Sequence, residues 1–498
     1  MEETHEFPLI ERREEDIEDE LVSKEEVFDE AKKQIYLIGP LIGVTILQFI
    51  VQVISIMFVG HLGKLPLSSA SLATSFASVT GFYILLGMSS ALETLCGQSY
   101  GAKKYSMLGI YTQRAMTTLL VCCIPLSVIW YYTTDILIFC GQDHEIAKGA
   151  GTFNQWMIPS LFGYGLLQCL IRFFQTQNIV LPMVITSGIT AILHVLVCWI
   201  LIFGLGFGIK GAALANNVSY WINFFLLAIY LKFSSAWMKT WTGFSKEAFH
   251  DLWNFLKLAV PSTFMICLEY WSFEMVVLLA GLLPKPKLET SVLAVSLNTC
   301  WMVYMVSVGL GSALSTRVSN ELGAGRPRAA RLALFVMVIM SVLEGLVVAM
   351  ATILVRYSWG RLYSNDKEVI SYVGKMMLLL AVSDFLDGFQ CVLSGAARGC
   401  GWQNMCSVIN LGAYYFVALP CALLFAFVLR IGGMVKPNFL PLLSIHTMMS
   451  NLGCSHALCK NVATVSITVT VAMMQLFPTT ELIFSGIYLV KLKKMSLI

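Results

Sequence analysis

The chain has 498 residues, 57% of them hydrophobic and 13% charged, with a formal net charge of +3. That is too apolar for a water-soluble domain of any common class, and no basic stripe suits a nucleic-acid partner. The 14 cysteines sit mostly alone within apolar stretches, which is the usage of packing residues rather than of a disulfide framework.

Residues 1–34 differ from the rest. Acids dominate between Glu11 and Glu30 with little apolar periodicity, so the segment is expected to be a disordered or loosely helical cytosolic tail. No secretory signal pattern precedes the first apolar stretch, which is expected to direct its own insertion. Stretches long enough to cross a ~30 Å hydrocarbon core as helices then recur over 35–58, 68–93, 112–133, 152–173, 182–204, 212–232, 254–282, 290–313, 331–354, 369–393 and 405–430. The expected fold is an all-α polytopic membrane protein of two pseudo-symmetric six-helix lobes, about twelve helices in all. The N-lobe spans 35–232, an interlobe linker 233–253 and the C-lobe 254–433. The divergent segment 434–498 replaces the twelfth helix.

Gly204-Leu205-Gly206-Phe207-Gly208 has no strand before it and joins two spans, so it reads as a tight turn rather than a phosphate loop. The sequon Asn217-Val218-Ser219 lies inside a span, where no glycan is expected. The only Cys/His cluster, Cys454 to Cys459 with His456, is not expected to bind metal. The connections after the even-numbered spans hold most of the bases, among them Lys103, Lys104, Arg172, Lys246, Arg317, Arg326, Arg328 and Arg398. By the positive-inside rule this places the N-terminus in the cytosol, with Trp237 and Trp241 of the linker at the membrane interface.

The chain also repeats itself. Gly87-Met88-Ser89-Ser90-Ala91-Leu92 recurs 222 positions on as Gly309-Leu310-Gly311-Ser312-Ala313-Leu314, and Gly101-Ala102 as Gly323-Ala324. Gln168-Cys169 matches Gln390-Cys391 at the same offset. Two similar halves joined head to tail imply a cavity between two lobes, the usual build of an alternating-access transporter.

Acids inside the spans are the expected working groups, because an ionisable side chain in the bilayer core is costly and usually faces a cavity. Glu269 lies midway along the seventh span. Asp384 and Asp387 lie three residues apart, on one face of the tenth. The repeat maps Glu269 onto Leu47 and Asp387 onto Gly165, with Gln48 the nearest polar neighbour in the first half. Proton coupling is therefore expected at Glu269 and Asp387 in the second lobe, since desolvation favours the neutral form of a carboxyl. Asp384, Asn298 and Gln48 are expected to support them, and Glu274 and Glu344 to play structural or supporting roles. Glu93 is expected at the membrane interface. Tyr270, Trp271, Trp301 and Tyr304 are candidates to line a substrate cavity. Pro261 and Pro420 can bend their helices. No nucleophile–base pair or metal spacing points to an enzyme, so no catalytic residue, metal or cofactor is expected.

The motifs Val59-Gly60-His61-Leu62-Gly63, Glu93-Thr94-Leu95-Cys96-Gly97-Gln98, Ser319-Asn320-Glu321-Leu322-Gly323-Ala324-Gly325, Leu386-Asp387-Gly388-Phe389-Gln390 and Gly395-Ala396-Ala397-Arg398-Gly399-Cys400-Gly401-Trp402-Gln403 resemble the multidrug and toxic compound extrusion (MATE) family, plant-type branch. The resemblance runs from about residue 30 to 433. It implies cation-coupled export of organic compounds, with the proton as coupling ion and with second-lobe acids that carry over onto Glu269 and Asp387. It implies a monomer in the plasma or vacuolar membrane whose partners are protons, small organic substrates and lipid.

Both the repeat and the resemblance break after Gly433. Met434-Val435-Lys436-Pro437 does not echo Ala212-Ala213-Leu214-Ala215. The apolar piece 462–477 spans only about 24 Å at ~1.5 Å per residue, and Pro478 then interrupts it. One rival reading is thus a non-transporting or misfolded isoform. Another is a lipid-linked-substrate flippase of the same architecture, which would need clustered bases in its cavity.

Overall fold

The computed structural model describes residues 23–234, 239–241, 243, 245–280, 286–363 and 367–420. Residues 1–22 of the expected tail, Trp237, Lys285, the end of the eleventh span and all of 434–498, including Cys454 to Cys459, lie outside the described residues.

The described residues form helices throughout: α1 (Lys24–Gly60), α2 (Lys64–Gly101), α3 (Tyr105–Tyr131), the short α4 (Thr133–Phe139), α5 (His144–Thr176), α6 (Leu181–Gly204), α7 (Gly208–Phe233), α8 (Leu252–Ala280), α9 (Pro286–Gly323), α10 (Pro327–Tyr363), α11 (Lys367–Cys400) and α12 (Gln403–Asn410). The described parts of the eleven expected spans fall on long helices or, for the last, on α12 and its continuation to residue 420. Eight of the helices are long and apolar enough to cross a membrane. The repeat is visible in the boundaries themselves. Shifted by 222 positions, the limits of α2 fall on those of α9, and the starts of α3 and α6 fall on those of α10 and α12.

Local chemistry sets several of these ends. Ser23 caps α1 by accepting from the Glu26 amide while the Glu26 carboxylate accepts from the Ser23 amide, each at 3.1 Å. Such a reciprocal box satisfies two orphan donors. Asp143 caps α5 through the Glu145 and Ile146 amides. Gly325, at φ +70°, turns the chain between α9 and α10, a conformation that side-chain-bearing residues avoid. Gly206 and Gly208 also have positive φ, so the glycine-rich run is the expected turn.

One expectation needs correction here. Residues 24–34 are not a loose tail but the first turns of α1, and Glu30 within them is buried. The charged pattern hid a helix whose partner lies in the other half of the chain: Arg317 of α9 holds Glu30 at 2.7 Å.

Within the N-lobe, Phe82 sits between Trp130, Tyr164 and Tyr220 at ring distances of 5.4, 4.8 and 5.7 Å. Phe153, Phe173 and Phe174 extend this core. Trp241 joins it, edge-on to Phe173, so it is a buried packing residue rather than the interfacial anchor expected. Asn217 is buried and donates to the Trp156 carbonyl at 2.7 Å, which leaves no place for a glycan. Outward-facing Ile189, Ile192, Leu196 and Trp199 on α6, and Leu343, Val347, Met350 and Leu354 on α10, are exposed. Apolar faces of that extent suit lipid rather than water.

The lobes meet along a pseudo-two-fold seam. Gly97 and Ser319 are equivalent in the repeat and lie against one another: a Cβ on Gly97 would fall 2.0 Å from Ser319 Oγ. On either side the contacts are reciprocal. A Cβ on Gly101 would lie 2.0 Å from the Asn320 carbonyl oxygen, and one on Gly323 would lie 2.0 Å from that of Gln98. Gly87 packs against Thr263 of α8, and Gly309 against Ile42 of α1. The glycines of the repeat are thus the points where the two backbones touch.

Candidate functional site

Glu269 is buried on α8, and Tyr304 of α9 donates its hydroxyl to Glu269 Oε1 at 2.7 Å. Cys391 is buried on α11. One and two turns before it, Asp387 and Asp384 are buried, and one carboxylate oxygen of each and the Cys300 thiol of α9 lie within 4.8 Å of one another. Glu344 of α10 approaches from behind: a Cβ on Gly388 would sit 3.5 Å from its Oε2, and it is within reach of Asp384. Four helices thus bring four carboxyls and two thiols into one lobe. Carboxyls crowded in a low dielectric ionise singly rather than together, so the arrangement can take up or release charge in steps. Asn298, expected to support them, is exposed.

Three of the four aromatic candidates come together. Tyr270 stacks on Trp301 at 5.4 Å and 5°, and Tyr304 stands edge-on to both. The other face of Tyr270 stacks on Tyr83 of α2 at 4.2 Å, so the stack crosses between lobes. Tyr83 was not singled out from the sequence, although its repeat equivalent, Met305, is the neighbour of Tyr304. Trp271 points elsewhere and donates to the Val79 carbonyl at 3.0 Å. Glu274, one turn beyond Tyr270, accepts from Ser75 of α2 at 2.7 Å. A tyrosine hydroxyl therefore joins the Glu269 carboxyl to flat aromatic faces able to meet an organic ligand.

The N-lobe counterpart is polar but uncharged. Gln48 accepts from Gln168 at 3.5 Å and lines a cavity of about 10 Å³ with Ser187, Thr190, Ser219, Tyr220 and Asn223, near the lower limit for one water. Beside it lies His194, fully buried and unremarked in the sequence. Ser55 donates its hydrogen to Asn216 Oδ1 at 2.9 Å and so accepts from His194 Nε2, also at 2.9 Å. Ser219 Oγ lies 2.7 Å from Nδ1. The partners' donor and acceptor capacities place a hydrogen on Nε2.

At the end of the seam rich in bases, Glu93 is not interfacial as expected but fully buried. Arg172 of α5 holds it at 2.8 Å and Arg398 of α11 at 3.0 Å. Arg172 and Arg398, expected in the connecting loops, both lie inside helices and are buried. Burial of an acid in a span is tolerated where cations pair with it, a condition no single-span reading can see. Around this cluster Gln175 donates to the Ser312 carbonyl and Asn320 to that of Thr176. Glu321 bridges Arg317 and Arg326.

The family model MatE matches residues 40–200 and 261–424, covering both lobes. Protein DETOXIFICATION 16 of Arabidopsis thaliana is 58% identical over 410 residues, 82% of this chain and 84% of that one. Protein DETOXIFICATION 17 of the same organism is 56% identical over 407 residues, 82% and 86% of the two chains. The crystal structure of the eukaryotic MATE transporter AtDTX14 superposes with a TM-score of 0.82 at 42% identity, covering 89% of this chain and 100% of that one. The Vibrio cholerae MATE transporter VcmN in its bent form shares the fold alone, with a TM-score of 0.75 at 16% identity over 90% and 99% of the chains. The motifs, the two-lobe repeat and these matches agree, and the chain belongs to the MATE family of membrane transporters.

Proposed function

We propose that this chain is a proton-coupled antiporter exporting small organic, often cationic, compounds such as xenobiotics, alkaloids or flavonoids. Its N-terminus is cytosolic, it works as a monomer, and it sits in the plasma or vacuolar membrane. The observation that carries the reading is the contact between Glu269 and Tyr304, which places an ionisable group against the aromatic stack of Tyr270 and Trp301. Glu269 and Asp387 exchange protons with the outside. Asp384 and Glu344 share the charge of that cluster. Tyr270, Trp301, Tyr304 and Tyr83 form the substrate's flat wall. The described spans hold no cluster of free Arg or Lys facing this site, which speaks against a lipid-phosphate flippase.

Reconstitution into liposomes tests this directly. An imposed pH gradient should drive uptake of some members of a panel of alkaloids, flavonoids and fluorescent cations, and a protonophore should collapse it. Uptake that ignores the pH gradient, or follows a sodium gradient instead, defeats the antiport reading. For orientation, a tag before Met1 and labels at Lys104 and Arg326 should report the cytosolic face and a label at Lys285 the opposite one. Labelling of Arg326 from outside intact cells overturns this.

The second reading concerns 434–498. The internal repeat breaks after Gly433, so a form of the protein with an incomplete second lobe transports weakly. Replacing 434–498 with a family-type twelfth helix should then raise both melting temperature and transport; equality of the two proteins removes this reading.

A further inference from the structure

The buried cluster between α9 and α11 mixes two kinds of donor. Cys300, Asp384 and Asp387 are each 5% exposed. One atom from each, a thiol sulfur and two carboxylate oxygens, lies within 4.8 Å of the others. Polar atoms around the cluster are left unsatisfied: Asp384 Oδ2, Glu344 Oε1 and Ser341 Oγ are buried with no hydrogen-bond partner. Ser341 and Glu344 of α10 approach over Gly388, the residue after Asp387. A Cβ on Gly388 would lie 3.2 Å from Ser307 Oγ, 3.5 Å from Glu344 Oε2 and 3.7 Å from Ser341 Oγ. Buried oxygens without partners are costly, and a bound ion with its water is one way an interior satisfies them.

The donor set decides which ion fits. Hard cations such as Na+, Mg2+ and Ca2+ take oxygen shells, whereas a thiolate favours zinc or cadmium. Tetrahedral Zn2+, with bonds of about 2.3 Å to sulfur and about 2.0–2.2 Å to oxygen, holds its ligands roughly 3.3–3.6 Å apart. Starting within 4.8 Å, the three atoms need to close by at most about 1.5 Å, within reach of side-chain rotation. Coordination displaces the thiol proton. A divalent ion then balances the thiolate and one carboxylate. The second carboxyl can bind through its carbonyl oxygen while it keeps its proton, so no net charge is buried. A water held by Ser307 and Ser341 can complete the tetrahedron. Cys300 and Asp384 lie too far apart in the chain to read as a metal spacing.

We propose that Cys300, Asp384 and Asp387 form a binding site for a soft divalent cation of the zinc or cadmium type. Its occupancy withdraws Asp387 from proton exchange, so the ion inhibits transport. That consequence rests on the antiport reading above; the site itself stands on its donors.

The test uses Cd2+ as the probe, on the full chain in nanodiscs, and reads the ultraviolet charge-transfer absorption of a cadmium–thiolate bond. The wild type should bind Cd2+ with this band, and a large excess of Mg2+ or Na+ should not displace it. Cys300→Ser should lose the band. Asp384→Asn, which keeps every thiol, should weaken Cd2+ binding by about tenfold or more, as loss of even an outer-shell partner does. In liposomes Cd2+ should suppress pH-gradient-driven uptake by the wild type, and a chelator should restore it. Cys300→Ser should transport in metal-free buffer and resist Cd2+, which shows that it is folded. An undiminished band in Cys300→Ser puts the metal on other thiols, and unchanged affinity in Asp384→Asn leaves a lone thiol. Displacement by Mg2+ means an all-oxygen site. Each of these overturns the proposal, and full uptake with the band present overturns Asp387 as a ligand. If the metal-free wild type shows no pH-driven uptake, the antiport reading falls and the band alone decides the site.

Discussion

Gly101 of α2 touches the Asn320 carbonyl, and Gly323 of α9 touches that of Gln98; at this level the N-lobe and C-lobe are the same object seen twice. The likeness stops at the polar positions. Leu47 stands where the second lobe has Glu269, and Gly165 where it has Asp387. The N-lobe fills its interior with Gln48, Asn223, His194 and serines, the C-lobe with carboxyls. A duplicated scaffold can keep its packing while one copy alone acquires groups that change charge. Packing is reciprocal because each interlobe contact uses both copies, whereas a titrating group needs only one.

The largest effect expected tests that division. Glu269→Gln and Asp387→Asn should each cut pH-gradient-driven uptake by about tenfold or more while the purified protein stays monodisperse. An order of magnitude corresponds to about 1.4 kcal/mol of transition-state or coupling energy, modest for a buried charge. Near-wild-type uptake in both variants would return the two lobes to functional equality.

Next comes the shared scaffold. Gly101→Ala and Gly323→Ala each press a methyl against a carbonyl of the other lobe. Overpacking of this kind costs roughly 1–3 kcal/mol. The two variants should lower the melting temperature by matching amounts. A large drop in one and none in the other would show that the seam is not symmetric.

These two tests also mark what the sequence made legible. The helix pattern, the repeat and the unmatched acids Glu269 and Asp387 could be read directly, because apolar runs and an internal offset are local or self-referring signals. The pairing of Glu93 with Arg172 and Arg398, and of Glu30 with Arg317, could not. Each joins residues far apart in the chain, and a charged residue near a span end looks the same whether it is solvated or paired. Cys300 beside Asp384 and Asp387 was hidden for a similar reason: its place depends on how α9 rotates against α11. Tyr83 could have been found, since the repeat places it one position from the equivalent of Tyr304.

A smaller effect is expected from the neutral network of the N-lobe. Ser55→Ala removes the acceptor of His194 Nε2 and the donor to Asn216. Leaving buried polar atoms without partners costs about 1–3 kcal/mol, so the melting temperature should fall by several degrees. The pH dependence of uptake should not move, because the acids proposed to couple, Glu269 and Asp387, lie in the other lobe. A shifted pH profile would make the N-lobe a second proton site.

The smallest effect should come from Gln48→Leu, although Gln48 is the nearest polar neighbour of Leu47, the position equivalent to Glu269. Its carbonyl accepts only a long 3.5 Å bond from Gln168. Its amide nitrogen is buried without a protein partner and faces a cavity barely large enough for one water. Leucine removes that unsatisfied donor and leaves Gln168 to lose one weak bond, two changes of opposite sign. Uptake should therefore change by no more than about threefold, with stability nearly unchanged and with the pH profile in place. The two-lobe comparison depends on this asymmetry: the same region of the scaffold, occupied by an amide in one lobe and an acid in the other, should matter for coupling only where it can hold a proton. If Gln48→Leu abolishes uptake as fully as Glu269→Gln does, charge is not what distinguishes the lobes, and the coupling path must run through the N-lobe cavity as well.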